Sequence, residues 1–244
     1  MRLIKFTFIL CVAILVTSSP LVSAQDIEKL SGMRFVQLVR GGLMYDNWPA
    51  DLGVSVEGTH PAYPDIGQQK GPDTWRCKEC HGWDYKGKAG AYSKGRHFTG
   101  IRGIRNYANH DPKSVVKILM NDTHNLKDKL TDNDFDALAM FVSYGQIDVD
   151  IYIDRKTKKS IGDASNGGRI YLSTCIKCHG ADGKEMNMGD DSSPVYVGTA
   201  ANDNPWETLH IIRWGHANTP MISLVFLGLK EQLDVLAFCQ ALPR

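Results

Sequence analysis

Residues 74–83 read TWRCKECHGW, and residues 172–181 read LSTCIKCHGA. Both stretches contain Cys-x-x-Cys-His-Gly, and their first cysteines are 98 residues apart. Paired cysteines at this spacing bind zinc, act as a redox dithiol or attach haem, and an adjoining histidine is typical of covalent haem attachment. The choice among these three chemistries determines which fold the rest of the chain forms.

The spacing and context of the two motifs argue against zinc and dithiol chemistry. A zinc ribbon places its two cysteine pairs about 15–20 residues apart, much closer than here. A redox dithiol belongs in a thioredoxin-like βαβ unit, and no strand pattern surrounds either motif.

Covalent haem attachment explains every residue of the motif. The i, i+3 spacing puts both sulfurs on one side of a helical turn, where the thiols add to the porphyrin vinyl groups and the next histidine binds iron. We therefore expect two covalently bound haem c groups, each with its own iron. The thioether-forming residues would be Cys77, Cys80, Cys175 and Cys178, and the proximal iron ligands would be His81 and His179.

The N-terminus has the features of a secretory signal peptide. Arg2 and Lys5 precede an apolar run over residues 6–16, and residues 22–24 form a small-residue cleavage site. The run is too short to span a bilayer, so we expect residues 1–24 to be removed on export. The predicted location is the periplasm or another compartment outside the cytoplasmic membrane.

Composition after residue 24 argues against several classes of protein. Acidic and basic residues are nearly balanced, which argues against a nucleic-acid-binding protein. No later segment has the run of about 18 apolar residues typical of a transmembrane helix. Five cysteines remain, and an odd number argues against a simple disulfide framework in an exported chain.

The flanks of the two motifs also repeat. GGRIYLSTC places Tyr171 four residues before Cys175, whereas Tyr45 of the earlier GGLMYDNW stands 32 residues before Cys77. The first unit therefore carries an insertion of about 28 residues, at about 47–74. Its glycines and prolines predict a loop.

Helix signals follow each motif in the same order. Asp111 with Pro112, and Asn204 with Pro205, have the sequence of a capped helix start. Thr131 and Asp134 resemble a capping box, and Gly215 is a helix stop. The last helices contain LAMF at 138–141 and LAFC at 236–239. Strand patterns are not evident, so we expect an all-α fold.

Together the two motifs and the LAMF and LAFC stretches resemble the class I cytochrome c fold in tandem, as in periplasmic dihaem cytochromes c. The resemblance covers most of residues 30–244 and departs from the family in the long first-unit insertion. It implies two class I cytochrome c-like domains, each enclosing one covalent haem c at the crossing of its first and last helices. The expected divisions are the signal peptide 1–24, the first domain 25–148, and a linker with the second domain at 149–244.

The resemblance implies a methionine as distal iron ligand, on the loop before the last helix. Met221 fits, because it lies 42 residues after His179 and 17 before Phe238. The same two intervals in the first unit end at residues 123 and 124, which selects His124 as the first distal ligand. Met120, or an open or water-bound iron, remains the alternative there.

Ligand type then predicts function. Methionine ligation raises the haem potential relative to two imidazoles, so we expect the first haem to be lower in potential than the second. Arg213 is a candidate partner for a haem propionate. Irons closed on both faces favour an electron carrier between redox partner proteins over an enzyme. The alternative is a dihaem oxidoreductase with a labile first-haem ligand, which oxidises small sulfur compounds or reduces peroxide.

Overall fold

The computed structural model describes residues 32–244, with side chains from residue 34, and the regular secondary structure in this range is helical. In that range β-pairing is limited to isolated bridges, which confirms the all-α prediction. The predicted signal peptide lies outside the described residues. The α-helices are α1 (Gly32–Leu52), α2 (Cys77–His81), α3 (Pro112–Leu119), α4 (Asp132–Met140), α5 (Ala164–Thr174), α6 (Ile176–His179), α7 (Val197–Asp203), α8 (Pro205–Trp214) and α9 (Leu229–Cys239). Between residues 32 and 244, none of these helices combines the length and apolarity needed to cross a membrane.

The helix starts predicted from sequence are confirmed. The Asp111 carboxylate accepts from the Lys113 amide at 3.1 Å, and Asn204 accepts from the Glu207 amide at 3.4 Å. Thr131 and Asp134 form a complete capping box at the start of α4. These bonds satisfy amides that have no partner within the helix.

Two tyrosines hold the two motifs in the same way. The Tyr45 hydroxyl donates to the Gly82 carbonyl at 2.6 Å, and the Tyr171 hydroxyl donates to the Gly180 carbonyl at 3.0 Å. Each ring also packs on a phenylalanine near the end of its unit, with centroids 5.0 Å apart for Phe141 and 5.1 Å apart for Phe238. The repeated sequence pattern around the two motifs therefore corresponds to the same tyrosine contacts in both halves.

Glycines allow the first and last helices of each half to touch. A Cβ on Gly41 would lie 2.0 Å from the Ala137 carbonyl oxygen, and one on Gly167 would lie 1.8 Å from that of Asp234. No side chain fits at such separations, since real Cβ atoms essentially never come within 3.0 Å of another heavy atom. The α1–α4 and α5–α9 crossings therefore depend on glycine.

Buried side chains form two hydrophobic clusters, one in each half of the chain. Each cluster includes side chains from the other half. Trp214 and Val225, from the second half, pack in the first cluster, and Trp83 and Tyr92, from the first half, pack in the second. The two halves consequently share their cores at the boundary between them.

The prediction that the insertion is loop from residue 47 onward is wrong at its start. Helix α1 continues to Leu52, past a kink at Asn47 where the backbone has φ −157° and ψ 79°. Pro49 lies just after the kink, so the second segment begins with a proline in its first turn, where it needs no amide hydrogen. Residues 53–70 contain no helix, and a 3₁₀ turn, Gly71–Trp75, leads into α2.

His210 joins the two halves inside the molecule. Its Nδ1 accepts from the Tyr85 hydroxyl at 2.9 Å, and its Nε2 donates to the Gly42 carbonyl at 3.0 Å. Burial lowers the pKa of His210 to about 4. The ring is therefore neutral at physiological pH, as both bonds require.

Replacing His210 with Gln should make the free energy of unfolding fall less as the pH is lowered from 6.5 to 4. The unfolded chain binds a proton as the pH falls through about 6.5, but folded His210 does so only near pH 4. The contribution of neutral His210 to the free energy of unfolding is fully present above pH 6.5, and about 3 kcal/mol of it is lost by pH 4. Urea unfolding of both proteins at several pH values measures the difference. His110→Gln, at an exposed position, is the control; equal slopes for wild type and His210→Gln would contradict the assignment.

Candidate functional site

The first motif forms a short helix between two backbone turns. Helix α2 ends at Gly82, whose φ of 79° is in the region that favours glycine. The Gly87 amide then donates to the His81 carbonyl at 2.8 Å. The second motif is built alike, with Gly180 at φ 74° and the Glu185 amide donating to the His179 carbonyl at 3.2 Å.

Three residues of the first motif line a cavity of about 530 Å³. Cys77, Cys80 and His81 lie on its wall, and His124 lies there as well. Apolar side chains complete the lining, among them Ile104, Val115, Leu119, Leu126, Leu138 and Val142. A volume within about 300–1,000 Å³ and a mostly apolar lining are usual for a cofactor site.

One hydrogen bond fixes the tautomer and the orientation of the His81 ring. Its Nδ1 donates to the Arg102 carbonyl at 2.7 Å, which leaves Nε2 as the unprotonated nitrogen. Histidines that bind metals usually donate their second N–H to such a carbonyl, which fixes the tautomer and the ring orientation. Burial lowers the pKa of His81 to about 4, so the ring is neutral.

The ring of His124 is oriented by hydrogen bonds in the same way. Its Nδ1 lies 3.0 Å from the Ile118 carbonyl oxygen and 3.0 Å from Oδ1 of Asn121. Both partners are acceptors, so Nδ1 carries the hydrogen and Nε2 is free to bind iron. Met120, the alternative ligand, packs against the first hydrophobic cluster at the C-terminal end of α3.

The two imidazole rings have the separation of ligands on one metal. Their centroids are 6.4 Å apart and their planes are inclined by 33°. Imidazole nitrogens bind zinc at about 2.0–2.1 Å, and with a similar bond to iron and a ring radius of ~1.1 Å, two opposed ligands have centroids about 6.3 Å apart. His81 and His124 therefore fit an iron held between them.

The two thiols of the first motif lack the lowered pKa that a redox dithiol needs. Burial raises the pKa of Cys77 and of Cys80 to about 12, whereas reactive cysteines have a lowered thiol pKa. Within the described residues, no group of three or more His, Cys, Asp or Glu side chains could hold a metal ion. The raised thiol pKa values agree with the sequence argument against a redox dithiol.

The second motif is less enclosed. Cys178 is exposed, and Cys175 and His179 are half-buried. Nδ1 of His179 is buried and has no hydrogen-bond partner in the described part of the chain. These residues lie as the first motif does, on a short helix ending in glycine, but with less protein around them.

Met221 lies half-buried on the loop between α8 and α9. The Ser223 hydroxyl donates to the Arg213 carbonyl at 2.6 Å, and the Leu224 amide donates to the Ile212 carbonyl at 3.0 Å. The loop thus folds back on the last turn of α8. Ligation of iron by Met221 stays a prediction.

Arg213 is buried, and part of its guanidinium group has no hydrogen-bond partner among residues 34–244. Nε donates to Oε1 of Gln232 at 3.1 Å, while Nη1 is buried and has no partner in that range. The same holds for the adjacent Trp214 Nε1. A buried cation beside a second free donor fits an anionic group such as a haem propionate.

Sequence reasoning missed two residues of the first site. Asn121 accepts from the His124 ring, and His60 of the insertion lines the cavity. The one available signal was that His60 is the only histidine of the insertion. Its contact spans 64 residues, a distance that local patterns do not encode.

Replacing Arg213 with Met should destabilise the haem-containing protein. If a propionate pairs with this buried cation, its loss costs about 3–5 kcal/mol, because one charge of a buried pair is left alone. Chemical unfolding followed by haem absorbance measures the change. Arg169→Met, at an exposed position of α5, is the control. Increased stability in Arg213→Met would show that no anion pairs with the guanidinium group.

Comparison with known proteins does not assign the chain to a family. No protein-family model matches it, and no curated protein is significantly similar to it. The function must therefore be argued from the two motif regions and their contacts.

Proposed function

We propose that this protein is an exported dihaem c-type cytochrome, built as two class I cytochrome c-like domains, that carries electrons between redox partner proteins. The observation that supports this most strongly is that the ring centroids of His81 and His124 lie 6.4 Å apart. Cys77 and Cys80 lie on the wall of the same cavity. The motif repeat and the matched tyrosine contacts support a second site of the same kind.

The chain's own groups would hold and insulate the two cofactors. When bound, each haem supplies a reversible one-electron couple. Thioethers from each cysteine pair would fix its position, and His81 with His124 would hold the first iron. His179 and Met221 would hold the second. Iron with two protein ligands at each site would favour outer-sphere electron transfer over substrate chemistry at the metal.

Mass spectrometry tests the cofactor content directly. Protein matured in a host that attaches haem c should carry two haems, and Cys77→Ala/Cys80→Ala or Cys175→Ala/Cys178→Ala should each carry one. Low-temperature electron paramagnetic resonance of the oxidised protein should show low-spin iron only. Fewer than two haems in wild type would overturn the proposal. A high-spin first haem that binds carbon monoxide rapidly would favour the dihaem oxidoreductase instead.

Exchanging the distal ligands should move the two potentials in opposite directions. His124→Met should raise the lower couple, and Met221→His should lower the upper one, since thioether ligation favours the ferrous state. Each change is a fraction of the about 0.8 V that axial ligands span. Spectroelectrochemical titration resolves the couples, and in each variant the unaltered haem is the internal control. A lower potential for the Met221 haem in wild type would contradict the ligand assignment.

A further inference from the structure

The insertion is fastened to the segment that precedes the first motif. The Trp75 indole donates to the Gly58 carbonyl at 3.1 Å. The His60 amide donates to Oγ1 of Thr74 at 2.8 Å, and that hydroxyl donates to the Gly71 carbonyl at 2.6 Å. Thr74 is buried. This end of the insertion is thus held firmly beside α2.

His60 reaches from this anchored loop to the distal side of the cavity. Its Nδ1 accepts from the Ala62 amide at 3.1 Å, so the ring hydrogen is on Nε2. Nε2 then donates to the His124 carbonyl at 2.8 Å. The ring also packs edge to face on Trp75, with centroids 4.5 Å apart. Donor direction and ring position are therefore both fixed.

The loop that carries His124 has few other attachments. Residues 121, 122, 123 and 125 are exposed, and Asn125 has φ +50°. Within the described part of the chain, the bond from His60 is the one hydrogen bond that ties residues 121–125 to a distant segment. The remaining bonds of this loop are to Ile118 and within the loop itself.

We propose that the insertion is a clamp in which His60 is a positioning residue that holds His124 at the first iron. This inference rests on the proposed function and assigns a role to the segment that departs from the family pattern. The bond acts on the backbone of His124, so it limits movement of the loop away from the cavity. It thereby keeps small ligands from the sixth coordination position.

Carbon monoxide binding to the reduced protein tests the clamp. The variants are His60→Ala, which removes the donor, and His60→Gln, whose amide restores an N–H at a similar reach. Gln68→Ala, at an exposed position of the same loop, is the matched control. Stopped-flow absorbance gives the binding rate at the first haem, and electron paramagnetic resonance of the oxidised form gives its high-spin fraction.

His60→Ala should bind carbon monoxide about three- to tenfold faster at the first haem, the effect of losing one hydrogen bond from the closed state. Its high-spin fraction should rise by a similar factor, with the second haem unchanged. His60→Gln and Gln68→Ala should resemble wild type. If His60→Ala does not acquire its haems, Thr74→Val tests the clamp instead. This variant removes the hydroxyl that accepts from the His60 amide, so it should accelerate carbon monoxide binding in the same way.

A wild-type rate in the variant without the donor would overturn the clamp, as would equal rates for His60→Ala and His60→Gln. Either result leaves the electron-carrier proposal intact, provided that wild type has two low-spin haems. A wild-type first haem that is high-spin would instead overturn the proposed function, and the clamp with it.

Discussion

The close approach of two imidazole rings that line one cavity is the constraint on which the first site depends. His81 comes from a motif helix and His124 from a loop 43 residues later, yet each has its Nδ1 fixed by an acceptor. The centroid separation of 6.4 Å then leaves room for a single metal ion between them. The tyrosine bond to Gly82 serves this geometry, because it ties α1 to the turn that follows the motif helix. The glycine crossing in turn packs α1 closely against α4.

Much of this arrangement could be predicted from local sequence. Capping residues such as Asp111 and Asn204 specify helix starts through bonds a few residues long, and both were confirmed. The interval argument selected His124, which the structure places on the cavity wall. The continuation of α1 beyond Asn47 was missed because the Pro and Gly composition of the insertion indicates a loop. The bond that starts its second segment is nevertheless local, since the Asn47 side chain accepts from the Ala50 amide at 3.3 Å. The His60 contact depends on chain segments far apart in sequence.

The two halves differ in how far the protein encloses their motifs. Cys77 and Cys80 are in a walled cavity, while Cys178 is exposed. The insertion accounts for part of this difference, since His60, Ala62 and Thr74 all line the first cavity. The second half has no such segment between Tyr171 and Cys175. In the proposed electron carrier, the less enclosed haem is the one better placed to meet a partner protein.

The exchange of side chains between the two hydrophobic clusters has an evolutionary consequence. Trp214 and Val225 complete the first cluster, and Trp83 and Tyr92 complete the second. A half of this chain cut free would expose large aromatic surface and leave gaps in its own interior. Although the halves share a repeated pattern, side chains of each complete the interior of the other. Neither half could therefore be replaced alone unless the residues on both sides of their boundary were changed as well.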